Sequence, residues 1–278
     1  MIRTDCANMN ERKGQSETMS NVVHVDDSAP STGRLAVVGL GPGSPELLTP
    51  QARNILERSR AILGYGVYID LIPRELLAGK QVLASGMRRE MERCNQAVDL
   101  ALAGVDTALV SSGDAGIYGM AGPCLEILEQ RGVLDQVDFE VVPGIPALAA
   151  AAALLGAPLM HDFAVISLSD LLTPWERILR RIDHAGRADF VLVLYNPRSR
   201  GRDWQLAKAL EVAAEHLPPE TPVGLVRNAF RSGQEVSMWT LATVPVDRVD
   251  MLSILFIGNS QTRALGTRLL TPRGYPLE

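Results

Sequence analysis

From Arg34 onward, short apolar runs alternate with helical stretches, and this alternation constrains the fold more than any other feature. Residues 35–40, 61–64, 106–111 and 139–142 are mostly apolar and of strand length. Between them, 49–59, 88–103 and 123–130 read as helices. Thr49 is placed as an N-cap, with Pro50 at the first helical position and Ile55 and Leu56 facing inward. In 88–103, Met91, Cys94, Val98 and Ala101 or Leu102 recur every three or four residues and mark the buried face. Strands that are apolar throughout, separated by helices, predict a parallel α/β sheet covered on both faces.

Three of these strands run into Gly/Pro turns, at 39–44, 112–119 and 143–146. Ligands gather at the carboxyl ends of strands in open parallel sheets, so three such turns predict one shared site. After Pro158 the pattern changes. Residues 163–168, 190–195, 223–227 and 251–257 are strand candidates, and helices fall near 174–182 and 202–216. The alternating segment 236–241 predicts an antiparallel partner. The chain therefore reads as two α/β domains, 34–158 with a parallel sheet and 159–278 with a mixed one. Residues 1–33 are polar, lack the apolar centre of a signal peptide, and are expected to be a disordered tail.

Composition narrows the function. Apolar residues make up 46% of the 278 but aromatics only 5%, so the core is aliphatic. A net charge of −5 argues against a nucleic-acid partner. Cys6, Cys94 and Cys124 have no metal-ligand spacing, so neither a metal site nor a disulfide framework is expected, and a reducing cytoplasm fits. The Ala-rich run 145–160 is broken by Pro146 and Pro158 and reads as a core helix. No uncharged apolar run reaches the roughly 18 residues of a membrane span.

The first turn, "GLGPGSPELLTP", fails as a phosphate loop because no Lys follows Gly43. It fails as a dinucleotide fingerprint because Ser44 stands where the third glycine belongs, and Pro42 removes a backbone N–H. Alone it is equally a tight strand-to-helix connection. In the second turn, "SSGDAGIYGMAGP", glycines permit close approach of a ligand, and Asp114 is either a ligand contact or a cap of the following helix. Tyr65 and Tyr68 sit past the second strand as a substrate wall or as ordinary boundary aromatics. His161 and Asp162 lie at the domain junction. Arg198, Arg200 and Arg202 form either a carboxylate-binding loop or a solvated one.

In this order, "VVGLGPGSPELLT", "SGDAGIYG" and "VPGIPALAAA" resemble the tetrapyrrole methylases, over the whole chain except the tail. Further segments, "GYGVYIDLI", "SGMRREMERC", "GAPLMHDFAVISLSDLLTPWE", "FVLVLYNPRSRGR" and "TPRGY", are similar to the branch that methylates a precorrin at C-17 in cobalamin synthesis. The resemblance implies a fold distinct from the Rossmann methyltransferases, S-adenosylmethionine as cofactor, and a homodimer acting on a small tetrapyrrole. It implies methylation of precorrin-3B at C-17 with ring contraction to precorrin-4. A cobalt-containing analogue is the nearest alternative substrate. A diphthamide or ribosomal RNA methylase and a non-enzymatic binding module are the remoter alternatives.

Carried over by motif, cofactor contacts fall on Pro42, Ser112, Gly113, Asp114, Ile117, Pro146, Ala147, Asn196 and Ala229. Ser44 replaces an Asp common in the first turn. The proton-accepting Asp that relatives acting on uroporphyrinogen often carry would fall at or beside Gly64-Tyr65, so that role does not transfer to this sequence. Tyr65, Asp114 and His161 are the candidate proton carriers for ring contraction. Ser44 and Tyr65, with Arg88, Arg89, Arg198, Arg200 and Arg202, are the candidate substrate contacts, the arginines for a ligand rich in carboxylates.

Overall fold

The computed structural model describes residues 33–199 and 201–276. The expected tail therefore lies outside the described residues but for Gly33, as does Arg200. In chain order the first half comprises β1 (Arg34–Gly39), α1 (Pro50–Arg58), β2 (Ala61–Tyr65), α2 (Gly66–Ile69), α3 (Arg74–Leu77) and β3 (Gln81–Ser85). It continues with α4 (Glu90–Leu102), β4 (Thr107–Ser111), α5 (Ala121–Gln130), β5 (Asp138–Val142) and α6 (Ala147–Leu155). The second half comprises β6 (Gly156–Ala157), β7 (Phe163–Ser167), α7 (Trp175–Arg187), β8 (Val191–Tyr195), α8 (Gln205–Ala214), β9 (Pro222–Arg227) and β10 (Glu235–Thr240). It ends with β11 (Ser253–Ile257), β12 (Arg263–Leu265) and β13 (Arg268–Leu270).

The first sheet has the order β3-β2-β4-β1-β5, with every pairing parallel. Its strands alternate between two cores because successive side chains point to opposite faces. Leu35, Val37, Leu63 and Leu109 meet Cys94, Ala97, Val98 and Ala101 of α4 and Cys124, Ile127 and Leu128 of α5. Ala36, Val38, Ile62 and Val110 meet Ala52, Ile55 and Leu56 of α1 on the other face. The Thr49 side chain accepts a hydrogen bond from the Ala52 N–H, so α1 starts with the expected cap. Helices leaving β1 and β4 thus pass to opposite faces, the arrangement that favours ligand binding at the carboxyl ends of these neighbouring strands.

The second sheet has the order β10-β9-β11-β8-β7 and is mixed. Strands β7 and β8 are parallel, while β8, β11, β9 and β10 are joined by antiparallel ladders. One face is covered by α7 and α8, through Ile178, Ile182, Leu206, Ala209 and Ala213. The other receives α6, whose Ala151 and Leu155 pack on Val193, Val226 and Phe256. A Cβ on Gly224 would lie 2.7 Å from Leu155, so the helix sits this close only because β9 has a glycine there. Residues 156–157 also pair with β13, stitching the chain across position 158. Among the described residues no helix is long and apolar enough to cross a membrane.

The differences from the sequence reading have local causes. Met91 is 50% exposed, because α4 begins at Glu90 and its first turn overhangs the sheet. The helix expected from 202 begins at Gln205, since Ser199 and Arg202 exchange backbone hydrogen bonds in a turn. Strand β3 escaped notice because, as an edge strand, it is mostly exposed and not apolar throughout. Helices α7 and α8 are tied at one end by a polar cluster. The Asp183 carboxylate accepts from His216 Nε2 at 2.7 Å and from His184 Nδ1 at 3.0 Å, and Glu215 lies beside it.

The hydrogen bond from His216, and then that from His184, hold the Asp183 carboxyl below its ordinary value. A depressed carboxyl stabilises the fold above its unfolded pKa, about 3.9, and that contribution is lost as pH falls through the folded value. Asp183→Asn is expected to lower the urea midpoint at pH 6, with the difference from the parent shrinking below about pH 4. Midpoints measured at several pH values check this.

Candidate active site

Because β4, β1 and β5 are neighbours, the three Gly/Pro turns emerge side by side, and backbone contacts fuse them. Gly41 and Gly113 exchange hydrogen bonds, N to O, at 3.0 and 2.8 Å. Asp114 joins the second turn to the third: Oδ1 accepts from the Gly116 N–H at 2.8 Å and Oδ2 from the Gly144 N–H at 3.1 Å. It is not the cap of α5, whose N-cap is Met120 with no side-chain bond. A Cβ on Gly39 would lie 2.6 Å from the Gly144 nitrogen and 2.8 Å from the Gly113 carbonyl, so no larger residue fits. Gly113 has φ 66°, a conformation that favours glycine.

Of the residues singled out for a cofactor, Pro42, Ser112, Gly113, Asp114 and Ile117 lie in the first two turns, and Pro146 and Ala147 lie against Gly113. Pro42 is buried and Ser112 half-buried, while Ile117 projects from the second turn, 37% exposed. Pro146 is the N-cap of α6 and Ala147 its first residue. The position of a Cβ on Gly113 is 3.5 Å from the Ala147 nitrogen, so the second turn touches the start of α6. Ala147 and Ala229 both pack on the apolar face that α6 makes with the second sheet. Asn196 follows β8 with φ 51°, and its Nδ2 donates to Ser167 Oγ at 2.9 Å.

Two further tyrosines, Tyr118 of the second turn and Tyr195 at the end of β8, join these parts. The Tyr195 hydroxyl accepts from the Leu148 N–H at 2.8 Å, and its ring lies 5.3 Å from that of Tyr118. The Tyr118 hydroxyl donates to the Val165 carbonyl at 3.2 Å, so turn, α6 and second sheet are joined. Burial pushes the Tyr195 phenol up to about 12 and raises that of Tyr118. Both therefore stay protonated at neutral pH.

The candidate substrate contacts divide. Ser44 is half-buried, and its hydroxyl has no hydrogen-bond partner among the described residues. Tyr65 stacks edge-on against Tyr68 at 5.2 Å, at the carboxyl end of β2. Arg88 is exposed with φ 64°, and Arg89 pairs with Glu92 at 3.3 Å. Arg198 donates to the Val246 carbonyl at 3.1 Å and lies 3.6 Å from Asp247, beside a cavity walled by Asp203 and Met251. Arg202 is a correction: it is 6% exposed, and donates to the carbonyls of Leu168 and Asn196. Its charge holds the turn after β8 and is not available to a substrate. His161 is exposed, and its Nδ1 accepts from the Asp162 N–H at 2.9 Å. No described hydrogen bond joins His161 to the three turns.

One residue at the seam was missed altogether. Arg231, in the loop after β9, donates from Nε to the Pro42 carbonyl and from Nη2 to Ser112 Oγ at 2.6 Å. The available signal was an Arg in a Gly-containing turn directly after a strand, "NAFRSG". The donor set of the seam is main-chain N–H and C=O, hydroxyls, and the Asp114 carboxylate, with apolar Ile117, Ala147 and Ala229 nearby. A Pro in the first turn and no Lys there suit a ligand without phosphate, so the residues fit S-adenosylmethionine.

Residues 34–245 match the family Tetrapyrrole (Corrin/Porphyrin) Methylases. The chain belongs to that family. It is 48% identical to the probable cobalt-factor III C(17)-methyltransferase of Salmonella typhimurium, over 87% of this chain and 100% of the relative. It is 39% identical to the precorrin-3B C(17)-methyltransferase of a Sinorhizobium species, over 88% and 98%. Among solved structures, the methyltransferase CobJ superposes with a TM-score of 0.82 at 36% identity, covering 87% of this chain and all of the other. A uroporphyrin-III C-methyltransferase from Thermus thermophilus, complexed with S-adenosylhomocysteine, gives a TM-score of 0.61 at 25% identity over 81% and 92%.

Asp114→Asn replaces one of two carboxylate oxygens by an N–H2 that cannot accept from Gly116 or Gly144. A loss of about 1 kcal/mol is expected, the scale of one hydrogen bond given up where water reaches the freed donor. Urea unfolding of the variant, with the m-value checked against the parent, measures it.

Proposed function

We propose that the chain transfers the methyl group of S-adenosylmethionine to C-17 of precorrin-3B, with ring contraction to precorrin-4, in cobalamin biosynthesis. The observation that carries this reading is the fused seam of three turns, in a chain that runs nearly the full length of a relative so named. The cofactor supplies a methyl group already activated on a sulfonium. Pro42, Ser112, Gly113, Asp114, Ile117, Pro146, Ala147, Asn196 and Ala229 would hold it. The chain's main task is then to align the reacting carbon with the methyl and to keep water away. Asp114 has both carboxylate oxygens committed to backbone N–H groups, which suits positioning of the turns. Tyr65, whose hydroxyl has no partner among the described residues, is the best placed of the three proposed proton carriers. We place the enzyme in the cytoplasm as a homodimer.

A second reading, the cobalt-containing substrate, is favoured by the higher identity to the cobalt-factor III relative, 48% against 39%. Incubation with labelled S-adenosylmethionine and either precorrin-3B or cobalt-factor III separates the two. Label in the first alone supports the main reading, label in the second alone the other, and label in neither rejects both. Tyr65→Phe is expected to slow product formation roughly 100-fold, the usual scale of one general acid or base. The dissociation constant for S-adenosylhomocysteine should be unchanged. Normal turnover removes Tyr65 from the mechanism.

A further inference from the structure

The seam holds a positive charge that the reaction as read above leaves unused. Arg231 reaches from the β9 loop of the second sheet to two turns of the first, bonding Pro42 and Ser112. It is wedged there: a Cβ on Gly43 would lie 2.8 Å from its Cγ and its Nε. It is half-buried, and burial draws its guanidinium below the ordinary value. Yet among the described residues no carboxylate lies within ion-pair distance of it, whereas Arg34, Arg58, Arg89, Arg131 and Arg198 each have one and Arg227 has two. Its Nη1 has no hydrogen-bond partner among the described residues.

A guanidinium carries five N–H donors, and a carbonyl and a hydroxyl occupy two of them. Neither acceptor is charged, so neither offsets the cost of taking the cation partly out of water. The neighbouring Tyr68 phenol does not do so either, because burial, the largest influence on it, pushes its ionisation up and keeps it neutral. The fork is therefore held in place by neutral groups with its charge uncompensated. That arrangement is pre-organised for a planar bidentate anion, and a carboxylate is the commonest such partner.

We propose that Arg231 binds a carboxylate of the ligand held at the three turns, making it a substrate- or cofactor-binding residue at that site. This rests on the function proposed above, which supplies two ligands with that chemistry. They are the amino-acid end of S-adenosylmethionine and the acid side chains of the tetrapyrrole. Once bound, the carboxylate would complete a contact spanning both sheets, since Arg231 comes from one and its anchors from the other.

Arg231→Gln and Arg231→Lys distinguish the sources by equilibrium binding, without turnover. Calorimetry compares S-adenosylhomocysteine with 5′-methylthioadenosine, which lacks the carboxylate. Absorbance titration follows the tetrapyrrole. In the Gln variant, a 10- to 100-fold weaker affinity for S-adenosylhomocysteine with 5′-methylthioadenosine unchanged assigns the cofactor's carboxylate. Unchanged affinity for both with a similar loss for the tetrapyrrole assigns the substrate's. The Lys variant keeps the charge but not the fork and should fall between parent and Gln. Equal weakening of S-adenosylhomocysteine and 5′-methylthioadenosine, or no loss for any ligand, overturns the proposal and leaves Arg231 a staple between loops. If the parent methylates neither tetrapyrrole, the functional reading fails, while the binding measurements still decide the role of Arg231.

Discussion

Backbone lies directly on backbone where Gly39, Gly113 and Gly144 meet, and the remainder of the site depends on that approach. Strand order β4-β1-β5 brings three turns to one edge, but only residues without side chains let them touch. The contact fixes where Asp114 can reach, and Asp114 in turn fixes the third turn. From that turn α6 departs, and it lands on the inner face of the second sheet. A strand-end contact of a few atoms thus fixes where α6 starts, and through α6 the link to the second sheet.

Charge at the seam is sparse, and each charged group is held by neutral ones. Asp114 accepts from two backbone N–H groups, and Arg231 donates to a carbonyl and a hydroxyl. Tyr195 and Tyr118 are kept protonated by burial and spend their hydroxyls on main chain. Such a site offers a ligand shape and main-chain hydrogen bonds, with one guanidinium for an anionic group. The reaction makes a matching demand, because an activated methyl donor requires alignment more than acid–base power.

Arginines show how weakly residue type alone fixes a role. Arg202 stands in the same basic segment as Arg198, yet it is buried and holds the turn after β8. Arg93, on α4, is 3% exposed and donates to Ser85 and Gly86 at the end of β3. Arg231, in the loop after β9, sits at the seam. Long flexible side chains sample many partners, so their destination depends on which acceptors folding brings within reach.

Much of the fold was legible because it is written in local periodicity. Leu35–Val38 and Leu109–Val110 could be read as buried strands from their unbroken apolarity, and Thr49-Pro50 as a helix start from capping chemistry. The mixed second sheet and the antiparallel β10 were likewise announced by a change of pattern after Pro158. The short elements with weak patterns were not: β3 is an exposed edge strand that needs no apolar alternation, and β12 and β13 are only three residues each. The three turns could be grouped from sequence because each follows a buried strand. Their mutual contact, the Asp114 bridge, the Tyr118–Tyr195 pair and the arrival of Arg231 could not. These link residues 30 to 189 positions apart, and no local rule encodes a separation of that kind. The sequence by itself determined which segments are strands, helices and glycine turns, since those follow from backbone sterics and side-chain period. Only the tertiary structure decided which turns touch and which charges meet, because that is set by strand order and by the packing of α6 on the second sheet.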